Sequence, residues 1–181
     1  MMMNTVKLGA AVAAAICATA AAANPMVGGA PMYSTKTIVQ NAVNSKDHTT
    51  LVAAVKAGGL VDTLSSKGPF TVFAPTNAAF AKLPAGTVET LVKPENKATL
   101  DKILTYHVVP GRITAQQIAA MAARNRGTAT LKTVEGENLK FMKSGNGWVV
   151  VDAKGDRARI TIPNVMQSNG VIHVVDAVLM P

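Results

Sequence analysis

The chain has 181 residues, 49% of them hydrophobic, and one cysteine, so its length supports a single domain that folds without a metal ion or a disulfide. Its formal net charge of +8 has two interpretations. One is an acidic partner, namely an acidic polysaccharide, an anionic membrane surface, or a cell-surface or matrix protein, and the other is an excess of lysine that only keeps the domain soluble. One tryptophan and 4% aromatic residues argue against a nucleic-acid-binding protein that stacks bases on aromatic rings.

Residues 1–23 have the pattern of a cleaved signal peptide. Lys7 supplies the positive charge, residues 8–18 are apolar, and Ala21-Ala22-Ala23 fits the small-x-small rule for cleavage. The apolar stretch is shorter than the roughly 20 residues that a membrane-spanning helix needs. The pattern therefore predicts a secreted or periplasmic protein, with a membrane anchor or a lipid anchor on Cys17 as alternatives.

Residues 24–33 contain two glycines and two prolines, which predicts a flexible leader before a domain at residues 34–181. Helical periodicity predicts a helix at 35–43 capped by Ser34, a second helix capped by Asp47, and a turn around Leu64. It also predicts helices at 87–92, 94–105 and 115–124. The last of these begins with a capping box, in which Thr114 and Gln117 satisfy the first backbone donors.

Short segments rich in β-branched residues predict strands, most of them after Gly127. The predicted strands are 70–74, 106–109, 129–134, 138–142, 148–151, 157–162 and 171–180. The clearest alternation is in 157–162, which directs Arg157 and Arg159 outward and the intervening apolar residues inward. Helices followed by strands with glycine and asparagine turns predict an α+β fold that contains a β-sandwich.

Three sequence blocks, in this order, resemble the fasciclin-like domain family. Residues 71–80 match its T-V-F-A-P-T-N-x-A-F box, Tyr106-His107 match its Y-H motif, and residues 169–179 match its N-G-x-I-H-V-V-D-x-V-L box. The resemblance extends from about Ser34 to Pro181. It implies a fasciclin-like β-sandwich wedge with several helices packed at one side, in a bacterial secreted single-domain protein that acts in adhesion or extracellular interaction.

Tyr106 and His107 are candidate binding residues because the resemblance associates the Y-H motif with adhesion. Considered by themselves, an aromatic ring and a histidine among apolar neighbours predict packing inside the protein. The sequence leaves both interpretations open.

Arg157, Arg159 and Lys140 are the second group of candidate binding residues. The two arginines leave the same face of one predicted strand, and Lys140 lies on a strand expected to be close. Together they predict an exposed basic strip for an acidic polysaccharide or an anionic membrane. The alternative is a solvated edge whose charges discourage aggregation.

Asn164 is a further candidate binding residue. Animal members of the resembled family carry an integrin-associated E-P-D-I-M pentapeptide where this chain has Ile162-Pro-Asn-Val-Met166. An integrin metal site needs a carboxylate, and Asn164 offers only a neutral oxygen. Integrin is therefore not an expected partner.

No catalytic residue, metal ion or cofactor is predicted. His48, His107 and His173 lie far apart without metal-ligand spacing, and the sequence after residue 23 has neither a cysteine nor a G-x-S-x-G motif. These features favour a non-catalytic protein that binds a cell-surface or matrix component. The alternative is a secreted hydrolase of a surface ester or glycan, which would need an exposed serine or aspartate beside His107 or His173 in a pocket.

Overall fold

The structure is a computed structural model that describes residues 23–181. Its helices are α1 (Ile38–Ala42), α2 (Thr49–Gly58), α3 (Val61–Ser65), α4 (Asn77–Ala81), α5 (Thr87–Leu91), α6 (Lys97–Tyr106) and α7 (Ala115–Arg124). Its strands are β1 (Met26–Val27), β2 (Ala30–Pro31), β3 (Phe70–Pro75), β4 (Val108–Pro110), β5 (Thr128–Lys132), β6 (Asn138–Ser144), β7 (Gly147–Val151), β8 (Arg157–Gln167) and β9 (Gly170–Val175). These elements form the predicted α+β fold.

Seven strands form one mixed sheet in the order β4-β3-β9-β8-β7-β6-β5, in which only β3 and β9 run parallel. The sheet is so strongly curled that its two ends meet. This is shown by the Val134 N–H just after β5, which donates a hydrogen bond to the Val108 carbonyl in β4 at 2.8 Å. Phe73 and Phe141 pack inside the curl with ring centroids 5.1 Å apart, although three strands separate β3 from β6 in the sheet. The predicted sandwich wedge is therefore one curled sheet whose two halves face each other.

The sheet separates two apolar clusters. The inner cluster fills the curl and includes Phe73, Phe141 and Val175, while α7 adds Ile118. The outer cluster lies between the first six helices and the other face of β3 and β9. Helices thus cover the outside of the sheet at β3 and β9, whereas the outward residues of β5 to β8 are exposed or half-buried. The outer face of β5 to β8 is therefore not covered by helices, and we call it the bare face.

Part of the segment 24–33, which the sequence predicts as a flexible leader, has secondary structure. Strands β1 and β2 form a hairpin whose turn is made by Gly28 and Gly29, both with positive φ. Val27 and Met32 are buried in the outer cluster. The strands are two residues long, so they lack the alternation by which a strand is found in a sequence.

The first helix begins later than predicted. Thr37, not Ser34, is its cap, since the Thr37 hydroxyl accepts from the Gln40 N–H while the Gln40 side chain accepts from the Thr37 N–H. Asp47 lies in a 3₁₀ turn, Lys46–His48, instead of capping α2. In contrast, α7 and its Thr114 capping box are confirmed at the predicted bounds.

Several strand predictions are wrong at their ends, and the strand predicted at 157–162 continues to Gln167. Tyr106 is the last residue of α6 and His107 is its C-cap, so the strand begins only at Val108. The final strand ends at Val175 instead of continuing to Met180. The predicted signal peptide lies, apart from Ala23, outside the described residues. Within residues 23–181, no helix combines the length and hydropathy needed to cross a membrane.

Candidate functional site

Tyr106 is fully buried at the end of α6, within the inner cluster. Its hydroxyl accepts a hydrogen bond from the Ala153 N–H at 2.8 Å, in the turn between β7 and β8. Burial, the largest cause, raises the pKa of the Tyr106 hydroxyl. The side chain therefore fixes a distant turn from inside the protein.

His107 is also buried, and both its ring nitrogens are hydrogen-bonded to the backbone. Nδ1 lies 2.8 Å from the Ile103 carbonyl, to which it donates, and Nε2 accepts from the Leu179 N–H at 2.9 Å. Desolvation by burial, partly offset by the bond to Ile103, lowers the pKa of His107 to about 4. The structure thus places the Y-H pair where it links elements of the fold.

His173 stacks on Phe73 inside the curl, with ring centroids 5.4 Å apart. Its Nε2 lies 2.8 Å from the Ile113 carbonyl, and its Nδ1 accepts from the Asn164 N–H at 3.3 Å. Burial lowers the pKa of this ring as well. Asp176, which follows the His173 strand, accepts from the Arg159 N–H at 2.7 Å. No serine or aspartate side chain bonds to His173 or His107 in the described residues.

Asn164 lies in an irregular part of β8 with a φ of +58°, in the left-handed region. Its Oδ1 accepts from the Ala115 N–H at 2.8 Å, and its Nδ2 donates to Gln116 Oε1 at 3.1 Å. Both amide atoms are therefore occupied at the N-terminus of α7. The structure places this candidate apart from the basic residues, in a role that the sequence did not predict.

The structure brings the three basic candidates to one face. In the register of the sheet, Lys140 of β6 pairs with Val151 of β7, and Val151 pairs with Arg157 of β8. Neighbouring strands are about 4.8 Å apart, so the Cα atoms of Lys140 and Arg157 are separated by roughly 10 Å. Arg159 leaves the same face two residues further along β8. All three side chains are exposed.

This bare face consists of the outward residues of β5 to β8, which are Thr128, Thr130, Lys132, Asn138, Lys140, Met142, Val149, Val151, Arg157, Arg159 and Thr161. Lys132 is a basic member that was missed in the sequence. It pairs with Asn138, two residues from Lys140, so only the register of β5 against β6 brings it to this face. The alternation in 128–132 indicates only that Lys132 faces outward, not which strand lies beside it.

The bare face has cations without acidic neighbours in its strands. The sequences of β5, β6, β7 and β8 contain no aspartate or glutamate. In the described part of the chain, the cations that form ion pairs are Lys82, Lys97 and Lys102, all outside this face. The strands of the bare face therefore contribute cations and no carboxylate, while Asp176 lies at its edge, where Oδ1 accepts from the Arg159 N–H.

The best-enclosed cavity lies between α1, α2, α3 and β3 and is almost wholly apolar. His107 and Lys56 are its titratable lining residues. The His107 ring is already bonded at both nitrogens, so this cavity offers no nucleophile with a nearby base. Among residues 23–181, no three His, Cys, Asp or Glu side chains are grouped so that they could share a metal ion.

The sequence of the chain matches a family model and several known proteins. Residues 46–181 match the model of the Fasciclin domain. Protein sll1483 of Synechocystis sp. is 50% identical over 157 residues, which cover 86% of this chain and 79% of that protein. The cell surface glycolipoprotein MPB83 of Mycobacterium bovis is 33% identical over 171 residues, with 91% and 70% covered.

A similar fold is found in a FAS1 domain pair from the insect cell adhesion molecule Fasciclin I, with a TM-score of 0.71 at 18% identity. The match covers 81% of this chain and 51% of the insect chain, so this chain spans about half of that pair. At this identity the likeness concerns the fold alone.

Proposed function

Because this chain belongs to the Fasciclin domain family, we propose that it is an exported, non-catalytic interaction domain. It binds an anionic component of a cell surface or matrix through the bare face. A relative named for the cell surface agrees with the general role, and the positive net charge of this chain favours an anionic partner.

The observation that carries the proposal is that Lys132, Lys140, Arg157 and Arg159 lie on one face whose strands contain no aspartate or glutamate. Opposite charges attract across a distance near the Debye length, about 8 Å at physiological salt. Lys140 and Arg157 are separated by roughly 10 Å, close to that distance, so they can act together on an extended polyanion. Binding should therefore be reversible and should weaken as salt rises.

A hydrolase finds less support, because the serine–histidine pair in the described residues, Ser45 Oγ and His48 Nδ1 at 2.9 Å, is buried. A triad needs a nucleophile within hydrogen-bond reach of a base that is itself accessible. His107 and His173 are buried and bond to backbone groups at both nitrogens. Asp176 bonds to the Arg159 backbone instead of orienting a histidine.

The test is retention of the protein on an alginate column with a salt gradient. The variant Arg157→Ser/Arg159→Ser removes two cations from the bare face. The control variant Lys67→Ser/Lys93→Ser removes the same charge from exposed sites elsewhere. We expect the first variant to elute at clearly lower salt than the parent and the control close to the parent. Equal elution of the two variants at every salt concentration would leave only a role of these charges in solubility.

A further inference from the structure

We propose that the anionic partner of the bare face is a lipid bilayer, and that Met142 enters its interfacial region. This inference rests on the proposed function and deepens it, because it selects one anionic partner. The observation behind it is a group of apolar side chains among the cations. A purely electrostatic surface for a hydrophilic polymer has no need of them.

Met142 is 42% exposed, which makes it one of the few large apolar side chains at the surface of the described protein. It pairs directly with Val149 on the neighbouring strand, and Val149 pairs with Arg159. Val151 lies beside Val149 along β7 and is also half-buried. The centre of the bare face is therefore an apolar patch made of Met142, Val149 and Val151.

The cations surround this apolar patch. Arg157 and Arg159 lie one strand to one side of β7, and Lys140 lies one strand to the other side. Long Lys and Arg side chains turn their charged ends toward phosphate groups while their methylene stems stay on apolar surface. An apolar centre within a cationic border matches the two layers that a bilayer offers, acyl chains beneath anionic headgroups.

The other residues of the bare face are less suited to a polysaccharide. The face carries no aromatic ring on which a sugar ring could stack, since the single tryptophan, Trp148, alternates with Val149 and packs against the inner cluster. Its remaining polar members are short, such as Thr128, Thr130 and Asn138. A carbohydrate would leave Met142 without a partner, whereas a membrane interface buries it.

The expected affinity for the membrane is modest and depends both on the cations of the bare face and on Met142. Each lysine or arginine near an anionic membrane surface strengthens binding by about fivefold. Loss of two arginines should therefore weaken binding by roughly 25-fold. Replacing Met142 by threonine, which keeps the charge and suits a strand, should weaken it by roughly fivefold through lost apolar burial.

The experiment is sedimentation of the full chain with vesicles of phosphatidylglycerol and phosphatidylcholine, compared with vesicles of phosphatidylcholine alone. The variants are Arg157→Ser/Arg159→Ser and Met142→Thr. Their matched controls are Lys67→Ser/Lys93→Ser and Met26→Thr, the latter at a methionine that is 57% exposed in the β1–β2 hairpin. Circular dichroism melts establish that each variant is folded.

We expect the parent to bind only the anionic vesicles, both bare-face variants to bind more weakly, and both controls to bind like the parent within about threefold. Partitioning of Met142→Thr equal to that of the parent would overturn the insertion of Met142. Retention on alginate without sedimentation on anionic vesicles would make a polysaccharide the partner and overturn only this inference. If the protein binds neither alginate nor anionic vesicles, the proposed function is overturned as well.

Discussion

The imidazole of His107 accepts a hydrogen bond from the backbone N–H of Leu179, a residue 72 positions later in the chain, at 2.9 Å. Its other nitrogen lies 2.8 Å from the Ile103 carbonyl. Only the neutral ring with its proton on Nδ1 satisfies both partners. His107 thereby ties the end of α6 to the C-terminal segment, and its own carbonyl accepts from the Phe73 N–H in the middle of the sheet.

Substitution of Tyr106 or His107 by alanine should destabilise the fold. Each removes a buried ring and leaves a backbone N–H of Ala153 or Leu179 without its acceptor. We expect a loss of about 2–5 kcal/mol in the free energy of unfolding, measured by urea denaturation. Tyr106→Phe keeps the ring and should cost about 1–2 kcal/mol. Alanine variants that unfold like the parent but no longer bind would instead indicate direct contact with the partner.

Stability should fall as the pH is lowered from 6.5 toward 4. The His107 ring is neutral in the folded protein down to a pKa of about 4, whereas in the unfolded chain it takes up a proton near 6.5. Its contribution is therefore complete above pH 6.5 and is lost as the pH falls to the folded pKa, a change of about 3 kcal/mol.

Burial also lowers the pKa values of His48 and His173, so their contributions have the same sign. Urea denaturation at pH 7, 6 and 5 measures this loss before most carboxylates titrate. A free energy of unfolding that stayed constant over that range would show that these rings gain protons equally in both states.

Gly170→Ala should be strongly destabilising. A Cβ atom at this position would collide with the backbone carbonyl of Phe70, where β9 begins its parallel pairing with β3. Because a backbone atom cannot move aside cheaply, we expect a loss of about 3 kcal/mol. The control is Gly147→Ala, where the nearest atom is 3.9 Å away. Thermal melts of both variants compare the two sites, and equal melting temperatures would contradict this account.

Two substitutions of Asn164 separate the stability that its side-chain hydrogen bonds contribute from the cost of its left-handed backbone conformation. Asn164→Gly keeps the left-handed φ but removes the bonds to Ala115 and Gln116, and should cost about 1 kcal/mol. Asn164→Ala should cost a further 1–2 kcal/mol, approximately, because a Cβ disfavours that conformation. Chemical denaturation distinguishes the two, and an alanine variant more stable than the glycine variant would disprove the conformational part.

Local sequence signals predicted some elements well. Thr114 and Gln117 form a capping box within four residues, and the alternation in 157–162 depends only on neighbouring residues, so α7 and the start of β8 are found where expected. Tyr106 has the β propensity of its neighbours, yet it ends a helix. The packing of α6 against α2 and of Tyr106 into the inner cluster decides its conformation.

The candidate site was predicted in part for the same reason. Arg157 and Arg159 share a face because they alternate along one strand. Lys140 lies on the same face, as we expected from a strand close to theirs. Lys132 was missed because the pairing of β5 with β6 fixes its place. The contact of Asn164 with Ala115 spans 49 residues and leaves no local pattern.

The position of β9 also determines when the molecule can fold. Residues 170–175 pair with β3 on one side and with β8 on the other, so a late segment of the chain occupies the middle of the sheet. Until it arrives, β3 has β4 as its neighbour, and closing the β3–β9 pair requires a loop of about 100 residues. Such long-range pairing is slow. Folding therefore follows synthesis of nearly the whole domain, and its rate depends on how soon Phe70 and Gly170 meet.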